Sequence, residues 1–269
     1  PAIRAVDPLA KVVIGGLLLD TPLSTDPNVG HPERFFAGIL AAGAAPYFDV
    51  LAYHDHYSYT SAMSDYGGTY PGSKWEAWGG QTIGKPAFLR SVMATYGVSK
   101  PLWLNESTLR CPTHLVSCQG DLTTFNNTQA RYAVREVARS FAAKAERFSW
   151  YTLHGPAWQF SGLLDGFQQP KPAYNAYDTL VDQIYGSTLP PVPVDYGPGL
   201  EAYRFDKPSD PDVDIIFAPT GVYQFATVPV EKFVAAYNLE GGPIGSGQPI
   251  NGNYQLYVGY APIYIHRYP

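Results

Sequence analysis

Strand-like and helix-like segments alternate four times in the first 187 residues of this 269-residue chain, and this alternation restricts the fold more than any other feature. Short apolar runs, which are typical of buried strands, occur at 11–16, 48–53, 101–105 and 148–153. Each run is followed by a segment with helical periodicity, at 32–43, 83–96, 128–146 and 173–185. Four successive strand–helix units predict an α/β domain, in which helices pack on a parallel sheet.

The proline-rich segment 189–194 marks a boundary in the chain. Helical periodicity stops beyond it, and five β-type runs follow, at 202–205, 213–217, 232–237, 254–258 and 262–265. We therefore predict two domains, an α/β domain at 1–188 and a small antiparallel β-sandwich at 189–269.

The composition argues against several kinds of partner. The net charge is −5 and no basic block is present, which argues against nucleic acid. No run of about 18 apolar residues occurs, so we expect no membrane span. Aromatic residues make up 14% of the chain and charged residues only 15%. Because aromatic faces stack on sugar rings, this composition suits a protein that binds carbohydrate, although loop-rich extracellular proteins share it.

One glutamate is the candidate for chemistry. Glu106 ends the third predicted strand, and strict alternation places Leu102, Leu104 and Glu106 on the same face of that strand. If this face points into a closed barrel, Glu106 lies at the carboxyl end of the strand, where such barrels carry their active sites. The alternative is a carboxylate that caps the turn after the strand.

The end of the second predicted strand carries further polar side chains. We expect His54 and Tyr57 to line the same rim as Glu106 and to hydrogen-bond either that carboxylate or a sugar. Ordinary packing at the end of a strand is the alternative for both residues.

Two groups of residues raise the question of a metal. His54, Asp55 and His56 are adjacent, but neighbouring side chains on a strand diverge, so a metal-dependent hydrolase is a weak alternative. A polar turn of the sandwich carries four carboxylates that could bind calcium, although a solvated loop fits them better: Asp206, Asp210, Asp212 and Asp214. We predict no metal and no other cofactor.

Aromatic side chains near the predicted rim are candidates for stacking on sugar. Trp75 and Trp78 lie in the loop after the second strand, where the alternative is a loop that packs on itself. Trp150, His154 and Trp158 accompany the fourth strand.

Cys111 and Cys118 are separated by six residues in a predicted loop. In a secreted protein this spacing indicates a small local disulfide, whereas two free thiols are the alternative. We expect an extracellular protein, with a signal peptide that lies outside this sequence.

Several segments resemble the retaining glycoside hydrolases of clan A, in the neighbourhood of the β-xylosidase family, family 39. Residues 2–16 resemble the fourth helix and fifth strand of their barrel, and 48–54 and 100–106 resemble strands six and seven. Residues 158–165 and 171–177 resemble strand eight and the helix after it, and 261–265 resembles the last strand of the accessory sandwich.

This resemblance implies the C-terminal half of a (β/α)8 TIM barrel, strands 5–8, followed by the sandwich. It also implies that Glu106, which corresponds to the glutamate ending strand seven, is the nucleophile that cleaves a glycosidic bond in an oligo- or polysaccharide. The general acid/base glutamate of the family would precede residue 1. The alternative is a non-catalytic carbohydrate-binding or structural protein on an incomplete barrel.

Half a barrel needs a partner for its open edges. We therefore expect the N-terminal half of the barrel on the same or a separate chain, and we doubt that these 269 residues are active alone. Without that half, the following side chains should be exposed: Val12, Ile14, Val50, Leu102 and Leu104.

Overall fold

The computed structural model describes residues 2–19, 22, 32–61, 65–69, 72–155 and 157–269. Its helices of five or more residues are α1 (Ala2–Val6), α2 (Pro32–Ala41), α3 (Gln81–Thr95), α4 (Thr123–Ala142) and α5 (Pro172–Ile184). In this part of the chain no helix is both long enough and apolar enough to cross a lipid bilayer.

The predicted parallel sheet is confirmed. It contains β1 (Val13–Leu18), β2 (Val50–Ser58), β3 (Leu102–Arg110) and β4 (Ala145–Trp150), in the order β1-β2-β3-β4. Neighbouring strands run in the same direction because helices or long segments connect them across the sheet.

The chain divides into two compact units, and each unit is made of three segments that are separate in the sequence. The first comprises Pro1–His56, Gly67–Ser107 and Ala143–Trp150, and the second comprises Tyr57–Tyr66, Thr108–Ala142 and Tyr151–Pro269. The domain boundary that we placed at 188 remains a prediction.

The core of the first unit lies between the sheet and helices α2 and α3. Leu102 and Leu104 belong to this core, together with Phe36 of α2 and Leu89 of α3. Both leucines therefore face the helices, and each is at most 1% exposed. The expectation that they would be exposed is wrong. Val50 is also buried, whereas Val12 and Ile14 are half-buried.

The opposite face of the sheet is more open. Val13 and Leu18 of β1 are 39% and 45% exposed, although their neighbours Ile14 and Leu17 contribute to the helix-side core. On the same open face, the guanidinium of Arg147 lies 4.7 Å from the ring centre of Trp103. This face thus carries apolar surface that the described residues only partly cover.

The register of this sheet shifts at three places, once in β1 and twice between β3 and β4, where the first shift leaves Glu146 as an extra residue of β4. In β1 the pairing passes from Gly15 to Leu17, so Gly16 is an extra residue. Between β3 and β4 the pairs Leu104–Phe148 and Ser107–Trp150 leave two residues, Asn105 and Glu106, opposite Ser149 alone. A bulge turns the side chains that follow it, and such irregularities recur beside active sites.

The second unit contains the predicted sandwich. One antiparallel sheet has the order β5-β6-β7-β11-β9 and the other pairs β10 with β8. Their bounds are Val192–Pro193, Glu201–Phe205, Asp212–Phe217, Gln224–Pro229, Phe233–Tyr237, Asn253–Val258 and Ile263–Arg267 for β5 to β11. Side chains from both sheets form one apolar core.

The aspartates of this sandwich are not all in a solvated loop. Asp212 and Asp214 are buried in β7, where Asp214 accepts hydrogen bonds from Arg204 and from the hydroxyl of Tyr196. The solvated-loop interpretation is therefore wrong for these two residues.

A buried ion-pair network joins elements within the second unit. Arg139 of α4 donates to both carboxylate oxygens of Glu201 on β6, at 2.7 Å each. The same guanidinium also pairs with Asp65, at 2.8 and 2.9 Å. Arg139 is 2% exposed, so these carboxylates compensate a charge that has lost its hydration.

Candidate active site

Glu106 lies between two histidines in the first unit. One carboxylate oxygen, Oε2, is 3.5 Å from Nδ1 of His54 and 3.4 Å from Nε2 of His56. The side chain of Glu106 is 32% exposed, while those of His54 and His56 are 17% and 9% exposed. The result is an accessible carboxylate held between two mostly buried imidazoles.

Strand geometry accounts for this cluster. His54 and His56 are two residues apart on β2 and point to the same face, opposite Leu51 and Tyr53, which join the helix-side core. Since Glu106 contacts both histidines, it points away from the face occupied by Leu102 and Leu104. The predicted common face of these three residues on β3 is therefore wrong, and the bulge at Asn105 and Glu106 is the reason.

The absence of a side chain at the bulge residue Gly16 leaves the space that the imidazole of His54 occupies. A β-carbon added to Gly16 would overlap the imidazole of His54. The neighbouring Gly15 has φ of +102° and lies close to the carbonyl of Ala52, so glycine is required there as well. The paired glycines let the backbone of β1 approach β2 closely enough for His54 to lie across it.

Asp55 points to the other side of β2. It is fully buried, accepts a hydrogen bond from the side-chain amide of Gln81, and forms an ion pair with Lys85 at 3.1 Å. Lys85 also donates to the backbone carbonyl of His54 at 2.9 Å. A metal site made of His54, Asp55 and His56 is therefore wrong, because Asp55 anchors β2 to α3 instead.

The electrostatics favour a neutral imidazole beside Glu106. Burial lowers the pKa of His54 below its ordinary value, although the carboxylate of Glu106 acts in the opposite direction and Lys85 adds to the lowering. A neutral His54 can donate one ring N–H to the carboxylate. The N···O distances of 3.4 and 3.5 Å exceed a normal hydrogen bond, so a small rotation is needed to form either bond.

The same three residues are the one cluster in the described parts of the chain that could hold a metal ion. Their donor atoms all lie within 4.8 Å of one another. Two nitrogens and one carboxylate oxygen form a donor set that suits divalent transition metals.

Tyr57 does not share the orientation of the two histidines. Alternation along β2 turns it to the face opposite His56, and it is 7% exposed. Its ring makes edge-to-face contacts with Tyr66 and Tyr132 in the second unit. His56, which we did not assign to the site, contacts Glu106. Its spacing of two residues from His54 was the available signal.

The two loop tryptophans are packing residues. Trp75 is 1% exposed and contacts Phe88 of α3 edge to face, so the prediction that it stacks on sugar is wrong. Trp78 is half-buried and packs on the same phenylalanine. Both tryptophans therefore pack on α3 rather than on their own loop, and a role for Trp78 in binding sugar remains a prediction.

The aromatic residues near β4 have different environments. Trp150 is half-buried at the end of β4 and pairs with Ser107 through its backbone. In the second unit His154 is exposed and Trp158 is 38% exposed. The ring of Trp158 lies edge to face with Tyr151, and the guanidinium of Arg110 is 5.1 Å from its centre. A role for these three residues in binding sugar remains a prediction.

The predicted disulfide between Cys111 and Cys118 is confirmed, with a Cα–Cα distance of 5.3 Å. The backbone N–H of Cys111 donates to the carbonyl of Gln159 at 2.7 Å. Trp158 and Gln159 both have positive φ, a backbone conformation that is unfavourable for residues other than glycine. The hydrogen bond from Cys111 helps to hold the turn in this conformation. The disulfide loop thus fixes the turn that carries Trp158.

Several glycoside hydrolases of known structure share this fold. A family 39 glycoside hydrolase from the gut symbiont Bacteroides cellulosilyticus WH2 matches with a TM-score of 0.64 at 17% identity, over 87% of this chain and 47% of that protein. A family 44 xyloglucanase from Paenibacillus polymyxa matches with a TM-score of 0.57 at 9% identity, over 99% and 58%. A 4-O-α-L-rhamnosyl-β-D-glucuronidase from Fusarium oxysporum 12S matches with a TM-score of 0.54 at 12% identity, over 86% and 56%.

These matches establish the fold alone. They show that this chain shares its fold with glycoside hydrolases, whereas membership of clan A and of family 39 remains a prediction. No protein-family model and no curated protein matches the sequence. The chain spans between 47% and 58% of the lengths of these three proteins, so an activity of the whole enzyme can only be proposed for it.

Proposed function

We propose that this chain is the nucleophile-bearing part of a retaining glycoside hydrolase, and that Glu106 is the nucleophile. The supporting observation is the environment of its carboxylate, which is accessible at the centre of β3 and flanked by His54 and His56. A glutamate whose only role was to cap a turn would not require two buried imidazoles beside it. The fold shared with glycoside hydrolases supports the same assignment.

In the first step, an oxygen of Glu106 attacks the anomeric carbon of the sugar. The bond from that carbon to the leaving oxygen breaks, and a general acid donates a proton to that oxygen. In the second step the same group, now a base, takes a proton from water, whose oxygen attacks the anomeric carbon and releases the Glu106 carboxylate. His54 and His56 orient the nucleophile by donating N–H groups to it.

The acid/base carboxyl is proposed to come from further barrel strands. Retaining chemistry places the two carboxyl groups about 5–5.5 Å apart. Among the described residues, His54, His56 and Glu106 form a cluster with a single carboxylate. The exposed apolar side chains of Val13 and Leu18 support strands that complete the barrel on this face, on the same chain or on another.

The substrate is proposed to be an oligo- or polysaccharide outside the cell. The disulfide between Cys111 and Cys118 supports secretion, because such bonds persist in oxidising compartments. The half-exposed ring of Trp158 is one candidate surface for a sugar.

Replacement of Glu106 by Gln tests the role of the nucleophile. In the full-length protein, Glu106→Gln should reduce the hydrolysis of a panel of 4-nitrophenyl glycosides by at least about 10⁴-fold, because the amide cannot form the glycosyl-enzyme. In Glu106→Ala, which vacates the space beside the anomeric carbon, azide should restore part of the activity by attacking that carbon in place of the carboxylate, which a purely structural role would not predict.

Glu146→Gln is the matched control, because Glu146 is an exposed residue of the neighbouring strand β4. It should retain wild-type activity. Both variants should show the circular dichroism and melting temperature of the wild type. A folded Glu106→Gln protein with more than a few per cent of wild-type activity would refute the proposal.

A further inference from the structure

We propose that His54, His56 and Glu106 form a reversible binding site for a divalent transition-metal ion of the zinc class, and that an ion bound there blocks Glu106. Binding of the ion follows from the geometry alone, whereas the loss of activity rests on the proposed function. The metal is thus an inhibitor of this site and not its cofactor.

The distances between the donor atoms match the coordination shell of zinc. Zinc lies about 2.0–2.1 Å from imidazole nitrogens and carboxylate oxygens, so two donors at tetrahedral angles are about 3.3–3.5 Å apart. The carboxylate oxygen Oε2 of Glu106 is 3.5 Å from Nδ1 of His54 and 3.4 Å from Nε2 of His56. All three donors lie within 4.8 Å of one another, so the two imidazole nitrogens have to approach each other by at most about 1.4 Å to complete the site.

The backbone that carries these ligands is fixed from the opposite side. Lys85 donates to the carbonyl of His54 and pairs with the buried Asp55, which lies between the two ligands in the sequence. Gly16 lies under the ring of His54, where a β-carbon would overlap it. A site whose ligands are held in place loses less conformational entropy when it binds an ion.

The chemistry of the donors selects the metal. Imidazole nitrogens favour zinc, copper and nickel over magnesium and calcium, which prefer oxygen ligands. Three protein ligands leave a fourth position for water, and the partial exposure of Glu106 provides a path for the ion. Coordination of Oε2 draws off the negative charge that the two carboxylate oxygens share, and the ion occupies the space beside Glu106, so the carboxylate becomes a poor nucleophile.

Calorimetric titration of the full-length protein with zinc chloride tests the site. We expect binding of about one ion per chain that magnesium chloride does not reproduce. His54→Ala and His56→Ala should each weaken the affinity for zinc by more than about 100-fold, because each removes a direct ligand. His114→Ala is the control, since His114 is exposed in the disulfide loop, and it should bind zinc like the wild type.

Nuclear magnetic resonance of the histidine ring nitrogens gives a test without substitutions. Zinc should shift the signals of His54 and His56 and leave that of His114 in place. Equal affinity in the wild type, His54→Ala and His56→Ala would overturn the proposal, as would zinc shifts confined to other histidines.

Activity gives the second test. At a zinc concentration about 100 times the dissociation constant, residual hydrolysis should be about 1% and should recover with a chelator, by simple mass action. Zinc that binds at the two histidines without reducing hydrolysis would overturn the inhibitory part of the proposal. If Glu106→Gln retains activity, the proposed function fails, while the effect of His56→Ala on zinc affinity still decides the metal site.

Discussion

The orientation of Glu106 depends on one extra residue in β3. Without the bulge at Asn105 and Glu106, the alternation that sends Leu102 and Leu104 towards the helices would send Glu106 there too. A carboxylate on that side would need a buried partner, as Asp55 has in Lys85. The bulge places it beside His54 instead, where it stays accessible to solvent.

Substitution of Gly16 tests whether the position of the His54 ring matters for Glu106. Gly16→Ala puts a methyl group into the space of the His54 imidazole, so that ring has to move. We expect kcat/KM to fall at least about tenfold, because the carboxylate loses an orienting donor. Gly38→Ala in α2 is the control, since its β-carbon meets nothing within 4 Å. Comparable kinetics of both variants would contradict the role assigned to His54.

At the scale of single residues, sequence patterns identified Glu106 and His54 but not the geometry that joins them. The glutamate was identified from its position after the apolar run 101–105, which is a local property, although β3 continues beyond it to Arg110. The orientation depends on pairing with β4, and a bulge there is set by long-range register. Trp75 was misassigned because the sequence of a loop does not reveal whether its tryptophan is exposed or buried in the core.

Elements in this chain were predictable where periodicity was strong. The four parallel strands and the helices α2 to α5 all occur, with ends that shift by a few residues. One such shift is at the end of α4, where the alanine-rich pattern continues through Ala145 but the helix ends at Ala142. Lys144 has φ of +62° and reverses the chain, so Ala145 begins β4.

Two strands of the sandwich escaped prediction. β5 has only two residues, Val192 and Pro193, and no pattern can be recognised over that length. β8 alternates buried Ala226 and Val228 with exposed Phe225 and Thr227, but a turn-rich flank and a terminal proline weaken the signal. Residues 224–229 form a strand because they pair with β10, and the local sequence does not reveal that pairing.

The contact between α4 and β6 predicts a dependence of stability on pH. Burial alone would raise the pKa of Glu201, but its ion pair with Arg139 outweighs this and holds the pKa below the ordinary 4.5. As pH falls, the unfolded chain therefore takes up this proton before the folded protein does. The stability that the carboxylate contributes is complete above about pH 5 to 6 and is lost as pH falls from 4.5 through the lowered pKa.

Glu201→Gln should therefore lower the free energy of unfolding by about 1.5–3 kcal/mol at neutral pH, as expected for loss of a charged hydrogen-bonded pair. The difference from the wild type should shrink below pH 4.5. Urea denaturation at several pH values measures it. Glu231→Gln is the control, since Glu231 is exposed, and its effect should stay within about 0.5 kcal/mol. Equal effects of the two substitutions would show that the pair contributes nothing.

For the whole molecule, the main question is what covers the open face of the parallel sheet. The fold is shared with proteins of which this chain spans about half, and Leu18 on that face is 45% exposed in the structure. Barrel interiors are filled by side chains, so the same leucine should be buried in a complete barrel.

Cysteine labelling distinguishes the two states. The described cysteines are paired, so Leu18→Cys introduces a single free thiol. In the full-length protein we expect maleimide to label it at least about 100-fold more slowly than Val222→Cys, because only an opening of the barrel would admit the reagent. Val222 is the matched control at 62% exposure. Similar labelling rates at both positions would mean that no further strands cover this face.

The bulge in β3 also bears on how such a gene can change. Loss of one codon between Leu104 and Ser107 would restore the regular pleat and leave a single residue, Asn or Glu, opposite Ser149 and beside His54 and His56. Substitutions at neighbouring codons do not change which face of β3 each side chain points to, whatever amino acid they introduce. In proteins that keep this chemistry, the segment should therefore tolerate substitutions far more readily than insertions or deletions.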